Sequence, residues 1–142
     1  MIRIAANVAL VIALTFVSQL KAASAVTLGV GRDGKPNWSY WKDPKSTETA
    51  VQSRAIEEAR LAGARNVRII ASTSKLGFGC LLMFLRTDNK LDYTVALAAP
   101  TWDAAVNEAK KKAKSLGGRA FKVVRGWNDG IRTNQPIIMQ RL

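Results

Sequence analysis

Apolar and polar residues follow two different periods along this chain of 142 residues. Six short apolar or alternating runs predict β-strands, at about 26–31, 37–42, 66–72, 80–86, 91–98 and 120–125. Two longer stretches, 47–62 and 101–116, place apolar residues three or four positions apart and predict helices. The order of elements is therefore strand, strand, helix, strand, and this order occurs twice.

The two predicted helices begin and end with the same signals. Thr47 and Thr101 stand where an N-cap side chain accepts a backbone N–H. Gly63 and Gly117 follow the last turns, where glycine commonly ends a helix. Each helix carries a stripe of mostly small apolar residues, Val51, Ala55, Ala59 and Ala62 in the first and Ala105, Ala109, Ala113 and Leu116 in the second. Small side chains on this stripe allow each helix to lie close to a sheet.

An internal repeat of 54 residues underlies this symmetry. Residues 47–70 align without a gap on residues 101–124. The same offset matches the strands upstream, 26–31 with 80–85 and 37–42 with 91–96. A period of this length is typical of a repeated supersecondary unit.

The repeat predicts an α+β protein in which two tandem ββαβ units pack as one small domain with an antiparallel sheet and two helices. We expect the first unit to span 26–79 and the second to span 80–142. The second unit includes a C-terminal tail from about 126, in which Pro136–Met139 is a candidate for an added edge strand.

A glycine pattern at 29–34, Gly-Val-Gly-Arg-Asp-Gly, has the spacing of a dinucleotide-binding fingerprint. That fingerprint requires a helix to begin at its third glycine, so that the pyrophosphate meets free N–H groups. Here Gly34 is followed by Lys35, Pro36 and a strand-like stretch. The pattern therefore predicts the end of a strand and a hairpin turn, and we expect no nucleotide cofactor or other cofactor.

The N-terminus has the layout of a secretory signal peptide. A basic start ending at Arg3 precedes an uncharged apolar run over 4–17, and the small residues Ala23-Ser-Ala25 form a cleavage site. The alternative, a membrane anchor, is disfavoured because the run is too short to span a bilayer. We expect residues 1–25 to be removed, a mature protein beginning at Val26, no membrane span after cleavage, and a periplasmic or secreted location.

Composition argues against familiar catalytic chemistry. The chain has no His and one Cys, which excludes a histidine base, a Cys/His metal site and an internal disulfide. Cys80 lies in an apolar run, which predicts a buried and inert thiol. Asp88 and Asp92 flank a predicted turn, where carboxylates commonly serve turn geometry. We therefore expect a protein that is not an enzyme and holds no metal.

Basic residues give the strongest hint of a partner. The chain has 22 Lys and Arg against 10 Asp and Glu, a formal net charge of +12. The second unit concentrates positive charge on its helix and following strand, at Lys110, Lys111, Lys112, Lys114, Arg119, Lys122 and Arg125. These residues are the candidate site for an anion or a partner protein. The alternative is that they form a solvated helix exterior.

Tryptophan offers a second candidate contact. Trp38, Trp41 and Trp127 would stack on sugars, bases or a partner if they were exposed beside basic residues. The alternative is that these rings fill the core of a small domain.

The repeat resembles a family of small secreted bacterial domains of unknown function. In that family a strand hairpin, an alanine-spaced helix and a strand occur twice. The matching residues are Trp41, Ala50, Ala55, Ala59 and Gly63 in the first unit and Ala104, Ala109, Ala113 and Gly117 in the second. The resemblance covers about 26–130 and implies no known activity. Family members commonly carry cysteines near the helix end, where this chain has Ala59, Ala62 and Val67.

Export, positive charge and the lack of a catalytic motif together predict a non-catalytic binding protein. The leading hypothesis is an envelope inhibitor or immunity protein that blocks a secreted toxin or hydrolase, with an acidic protein as its partner. The alternative is a polyanion-binding envelope protein that recognises lipopolysaccharide, nucleic acid or an acidic glycan.

Overall fold

The computed structural model describes residues 23–129 and 137–140, so residues 1–22 of the predicted signal peptide lie outside the described residues. The elements are, in chain order, β1 (Ala23–Val30), β2 (Pro36–Asp43), α1 (Glu48–Leu61), β3 (Arg65–Thr73), β4 (Phe78–Leu85), β5 (Leu91–Ala99), α2 (Trp102–Ser115), β6 (Arg119–Asn128) and β7 (Ile137–Gln140). The predicted α+β class with two ββαβ units is confirmed, and the three strands of each ββαβ pattern lie in a separate antiparallel sheet.

The strands in the described part of the chain form two sheets, with the orders β3-β1-β2-β7 and β5-β4-β6. We call them the first and the second sheet. β1 and β4 lie at equivalent central positions between the other two strands of their units. β7 pairs with the free edge of β2, so the edge strand proposed for the tail is confirmed.

The two sheets pack face to face, and a helix covers the outer face of each. Val26, Trp38 and Tyr40 of the first sheet share one apolar cluster with Leu81 and Val95 of the second. Separate clusters join α1 to the first sheet and α2 to the second. The layers therefore run helix, sheet, sheet, helix.

The predicted helix ends are confirmed in both units, and the stripes are confirmed except at their last positions: Ala62 and Leu116 are C-cap residues, and Leu116 is 59% exposed. Thr47 Oγ1 accepts the Ala50 N–H at 3.2 Å, and Thr101 Oγ1 accepts the Ala104 N–H at 3.1 Å. The buried stripes consist of Val51, Ala55 and Ala59 in α1 and of Ala105, Ala109 and Ala113 in α2. These six positions are related by 54 residues, which is why the repeat is most evident in the helices.

The strand hairpins of the two units are related by a different offset. Val26 pairs with Tyr40 in the first hairpin and Leu81 pairs with Val95 in the second, so equivalent residues are 55 apart. The predicted 54-residue offset would match Val26 with Cys80 and is wrong for the hairpins. A one-residue shift matters because it exchanges the two faces of a strand. Val26 and Leu81 both lie between the sheets, whereas Cys80 packs under α2.

The second unit returns to the 54-residue offset between the end of β5 and the start of α2. The pairing register of β4 and β5 shifts between Phe78 and Cys80, and Ala98 adopts a φ of 56°. The bulge itself adds one residue to β5. The connection that follows is two residues shorter, because one residue separates Ala99 from Thr101 where three separate Asp43 from Thr47. The net loss of one residue restores the offset of 54 from the helix onward.

The glycine pattern at 29–34 forms the predicted hairpin turn. β1 ends at Val30, and the Gly31 N–H donates to Lys35 O at 2.8 Å before β2 begins. Gly34 has a φ of 76°, a conformation that favours glycine. β2 begins at Pro36, two residues after Gly34, so a strand and not a helix starts after the third glycine.

The predicted cleavage site lies inside β1. Ala23 and Ala25 are fully buried, and Ala23 through Ala25 pair with β2. Ser24 and Ala25 also pair with β3, opposite Thr73 and Ser72. Cleavage after Ala25 would therefore remove three residues of a central strand and leave Val26–Val30.

We expect a chain that begins at Val26 to be less stable than one that begins at Ala23. The loss should be about 2–4 kcal/mol, because several backbone hydrogen bonds and two buried methyl groups are removed. Urea unfolding of the two proteins measures this difference. Equal stabilities would show that the first three residues of β1 contribute little, and mass spectrometry of the protein isolated from its native source would identify its natural first residue.

Candidate functional site

The four predicted lysines of α2 lie on its outer face. Lys111, Lys112 and Lys114 are exposed, and Lys110 is half-buried. Lys112 differs from its neighbours because its Nζ donates to Val95 O of β5 at 2.9 Å and lies 3.3 Å from Glu108 Oε1. Lys112 therefore joins the helix to the sheet, whereas Lys111 and Lys114 extend into solvent.

The predicted strand cations are exposed, but they lie on the opposite side of the second sheet. Arg119, Lys122 and Arg125 pair with Leu85, Met83 and Leu81 of β4. Leu81 faces the first sheet, and paired residues share a face, so these cations point away from α2. The prediction that helix and strand cations form one face is wrong, because the pleat separates them.

Two of the three predicted tryptophan contacts are wrong because the rings are buried. Trp38 is 5% exposed and packs between the sheets, and Trp41 is 7% exposed and packs under α1. The Arg54 guanidinium lies 5.6 Å from the Trp41 ring centroid and covers it. The core-filling alternative is the one that the structure shows for these residues.

Trp127, the third of these tryptophans, is half-buried. Its ring packs against Tyr40, with centroids 4.8 Å apart and planes tilted by 45°. The close approach requires Gly79, since a Cβ there would collide with the Trp127 ring. Trp127 therefore serves mainly to join the second sheet to the first.

Sequence reasoning missed the most exposed aromatic surface, which lies at the start of α2. Trp102 is the first residue of the helix and is 38% exposed. Its ring lies over Gly126, where a Cβ would collide with it. A shallow depression of about 400 Å³ is lined by Phe78, Trp102, Gly126, Trp127 and Asn128.

Val123 extends this apolar surface along β6. It is 39% exposed and pairs with Leu82, while Gly126 pairs with Cys80. Leu82 and Cys80 both pack under α2, so Val123 and Gly126 lie on the helix side of the strand. We call the depression together with Val123 the Trp102 surface.

The first unit has a hydrogen-bonded network at the equivalent place. Ser72 Oγ donates to Glu48 Oε1 at 2.5 Å, and Gln52 Nε2 donates to Ser72 Oγ at 2.7 Å. The 54-residue offset matches these residues with others of the second unit, Glu48 with Trp102, Gln52 with Val106 and Ser72 with Gly126. A polar network in one unit is thus replaced by an apolar surface in the other. The repeat alignment contained this signal, since it pairs a carboxylate with a tryptophan.

A buried polar cluster joins the two sheets near the end of β6. Asp129 is 3% exposed and its carboxylate accepts the Tyr40 hydroxyl at 2.8 Å and the Gly77 N–H at 2.6 Å. Lys42 is fully buried and its Nζ donates to Asp129 O at 2.7 Å. The cluster links β2, the start of β4 and the end of β6, so it has a clear structural role.

Tyr40 gives the stability of the protein a distinct pH dependence. Burial raises the pKa of Tyr40 far above its usual range, and the nearby Asp129 carboxylate adds to this. Below pH 10 the folded and unfolded chains both keep the phenol proton. Above pH 10 the unfolded chain releases it while the folded chain retains it, so stability falls as pH rises.

We expect this group to lower the free energy of unfolding by about 1.4 kcal/mol between pH 9 and pH 11. Tyr40→Phe should remove that part of the decline. Urea unfolding of both proteins across this range provides the measurement. An identical decline in the Phe variant would show that other groups cause it.

The remaining candidate residues, Asp88, Asp92 and Cys80, take part in local hydrogen bonds, ion pairs or core packing. Asp88 Oδ1 accepts the Lys90 N–H at 3.2 Å, and Asp92 Oδ1 accepts the Tyr93 N–H at 2.8 Å. Arg86 forms ion pairs with both carboxylates. Cys80 is buried as predicted, and burial raises the pKa of its thiol to about 11, although the positive charge of Lys110 opposes the shift.

Comparison with protein-family models, with curated proteins and with solved structures finds no match to the chain. Among the described residues, no cluster of three or more His, Cys, Asp or Glu has the arrangement of a metal site. None of the helices in that part of the chain has the length and hydropathy that crossing a bilayer requires.

Proposed function

We propose that this chain is an exported, non-catalytic binding protein whose second unit binds a partner protein through the Trp102 surface. It would act as an envelope inhibitor or immunity protein that blocks a secreted toxin or hydrolase. The observation that carries the proposal is the replacement of the Glu48–Gln52–Ser72 network by Trp102, Val106 and Gly126.

Exposure of an apolar surface to water at this position is unfavourable in free energy unless a partner covers it. A contiguous apolar patch on a small protein is typical of an interaction site, and tryptophan is among the residues that contribute most to binding. The first unit supports the same strand and helix geometry with polar residues. The fold therefore does not require Trp102, which favours a role for it in binding.

The charge of the protein favours an acidic partner. Lys111 and Lys114 extend from α2, and Lys122 and Arg125 lie on the face of β6 opposite to the Trp102 surface. Positive charge on both sides of the second sheet accelerates association with a negatively charged protein and disfavours basic partners. An acidic active-site cleft has the complementary charge.

Inhibition would proceed by occlusion. The Trp102 surface is formed by the start of a capped helix and a strand of a packed sheet, so little ordering is needed on binding. A rigid surface of this kind covers a cleft without any chemical step. This mechanism requires no nucleophile, acid, base or cofactor from the chain.

Binding to a polyanion is the second candidate, and the exposure of Lys111 and Lys114 favours it. Such binding would depend steeply on salt, because each neutralised phosphate or sulfate releases counterions. Lys111→Glu/Lys114→Glu separates the two candidates and leaves the contact of Lys112 with β5 intact. Polyanion binding should be abolished. Binding through the Trp102 surface should have a lower association rate but should persist at high salt.

The separating experiment measures heparin, lipopolysaccharide and protein capture by the native chain and this variant at two salt concentrations. Retention of one discrete acidic protein by both chains at high salt supports the proposal. Capture of only polyanions, lost in the variant and on adding salt, overturns it in favour of the second candidate.

A further inference from the structure

The far edge of β6 is open within the described part of the chain. β6 is the outer strand of the second sheet and pairs with β4 on one side. It spans Arg119–Asn128, ten residues, and is longer than any other described strand. Long open edges invite pairing with another strand, and natural proteins usually shorten, cover or bulge them. β6 has two bulges, where its pairing with β4 shifts between Arg119 and Lys122 and between Val123 and Arg125. Its edge nevertheless stays open beside an exposed apolar surface, which needs an explanation.

The two faces of β6 differ sharply in chemistry. On the helix side, Val123 and Gly126 lie beside Trp102. On the other side, Arg119, Lys122 and Arg125 are exposed cations. Any strand that paired with this edge would extend both faces, because its side chains alternate between them.

From this arrangement we infer that β6 binds an extended segment of the partner protein as an added strand. In that segment, apolar residues alternate with aspartate or glutamate. Its apolar side chains lie against Trp102 and Val123, and its carboxylates lie against Lys122 and Arg125. Backbone hydrogen bonds to the edge supply affinity, and the two faces supply specificity. The inference rests on the proposed function and specifies how the partner is recognised.

Charge excludes a second copy of β6 as the occupant. Two antiparallel copies would bring Arg119, Lys122 and Arg125 of one chain to the same face as these residues of the other. Like charges on neighbouring strands of one face repel. The edge is thus suited to an acidic segment and protected against self-association.

The equivalent strand of the first unit, β3, lacks the apolar half of this arrangement. It also lies at the edge of its sheet and carries exposed Arg65 and Arg68. Its helix side is closed, because Ile69 packs against the cluster under α1 and Ser72 belongs to the polar network. β3 therefore provides an internal control with similar charge and no Trp102 surface.

The test uses two synthetic peptides of seven residues with blocked ends, one alternating Val and Glu and the other alternating Val and Lys. Fluorescence anisotropy measures their binding to the full chain, and hydrogen exchange locates the protected amides. We expect the Val/Glu peptide to bind and to protect the amides of β6, and the Val/Lys peptide to bind at least about tenfold more weakly.

Variants assign the binding to the two faces. Lys122→Glu/Arg125→Glu should weaken binding of the Val/Glu peptide by about tenfold or more. The matched control Arg65→Glu/Arg68→Glu should change that affinity by about twofold or less. Trp102→Glu should also weaken binding of the Val/Glu peptide. We expect this variant to fold, because Glu48 stands at the equivalent first position of α1. Circular dichroism and thermal unfolding confirm that each variant is folded.

Failure of the inference is distinguishable from failure of the proposed function. Equal binding of both peptides, equal effects of the two charge variants, or protection of α2 without protection of β6 would each overturn strand addition. If a captured partner protein still depends on Trp102 while the β6 amides stay unprotected, strand addition is wrong and the proposed function stands. If neither peptide nor partner binds, both are wrong.

Discussion

Asp129→Ala is expected to lower the free energy of unfolding by about 3–5 kcal/mol, one of the largest effects of any single change in this protein. The Asp129 carboxylate is buried and accepts hydrogen bonds from the Tyr40 hydroxyl and the Gly77 N–H. Removing it leaves both donors without an acceptor, away from water. The cost of such unpaired buried groups exceeds the modest net value of the bonds themselves.

Two further variants separate this effect from a general effect of removing a carboxylate. Asp129→Asn keeps one acceptor oxygen and should cost less than the alanine change. Asp103→Ala removes an exposed carboxylate from the first turn of α2 and should cost no more than about 1 kcal/mol. Urea unfolding of the three variants provides the measurement. Similar losses at Asp129 and Asp103 would contradict the structural role of the cluster.

Phe84→Ala is expected to destabilise the protein by a similar amount, about 3–5 kcal/mol. Phe84 is fully buried in the cluster under α2. Its ring lies against Gly118, where a Cβ would collide with it. Truncation would leave a cavity that the backbone of β4 and α2 cannot close, because both are held by the sheet and the alanine stripe.

The first unit has the equivalent contact, but there the strand residue is the glycine and the residue after the helix carries a side chain. Gly29 occupies the place of Phe84, and Ala64 occupies the place of Gly118. We therefore expect Gly118→Ala to destabilise the native protein and to cost less in the Phe84→Ala background, where the close approach of the new Cβ to Ala113 O remains. Unfolding free energies of the four proteins in this double-mutant cycle measure the coupling. Additive losses would show that the two positions do not share a volume.

The helices were the most predictable part of the fold. Their threonine caps, alanine stripes and terminal glycines act locally, so the sequence signals and the structure agree. The face assignments of the strands depended on a long-range comparison, and the uniform 54-residue offset failed there. The offset changes by one residue between the hairpin and the helix, because the bulge at Ala98 adds one residue and the connection to α2 is two residues shorter, and neither feature leaves a clear mark in the sequence.

The candidate site was only partly predictable for the same reason. Exposed lysines on α2 followed from helical periodicity, but the position of Arg119, Lys122 and Arg125 depended on which face of β6 points outward. Trp38 is buried because two sheets pack together, whereas a single sheet was predicted, and Trp41 is buried because its side of the first sheet is covered by α1. Trp102 was detectable in principle, since the repeat pairs it with Glu48.

The repeat also provides the most specific variant for the central claim, that the Trp102 surface binds a partner protein. Trp102→Glu/Val106→Gln/Gly126→Ser places the residues of the first unit at their equivalent positions in the second. The glutamate suits the first turn of α2, and the serine has room once the Trp102 ring is gone. We expect this variant to fold with near-native stability and to lose the partner.

The control is Leu61→Glu, which places a carboxylate on another exposed apolar residue, at the end of α1 and 70% exposed. The most direct measurement is capture of envelope and secreted proteins of the native organism at high salt by the native chain, the triple variant and this control. We expect one discrete protein that the native chain and Leu61→Glu retain and the triple variant loses. Equal retention by all three proteins would contradict it.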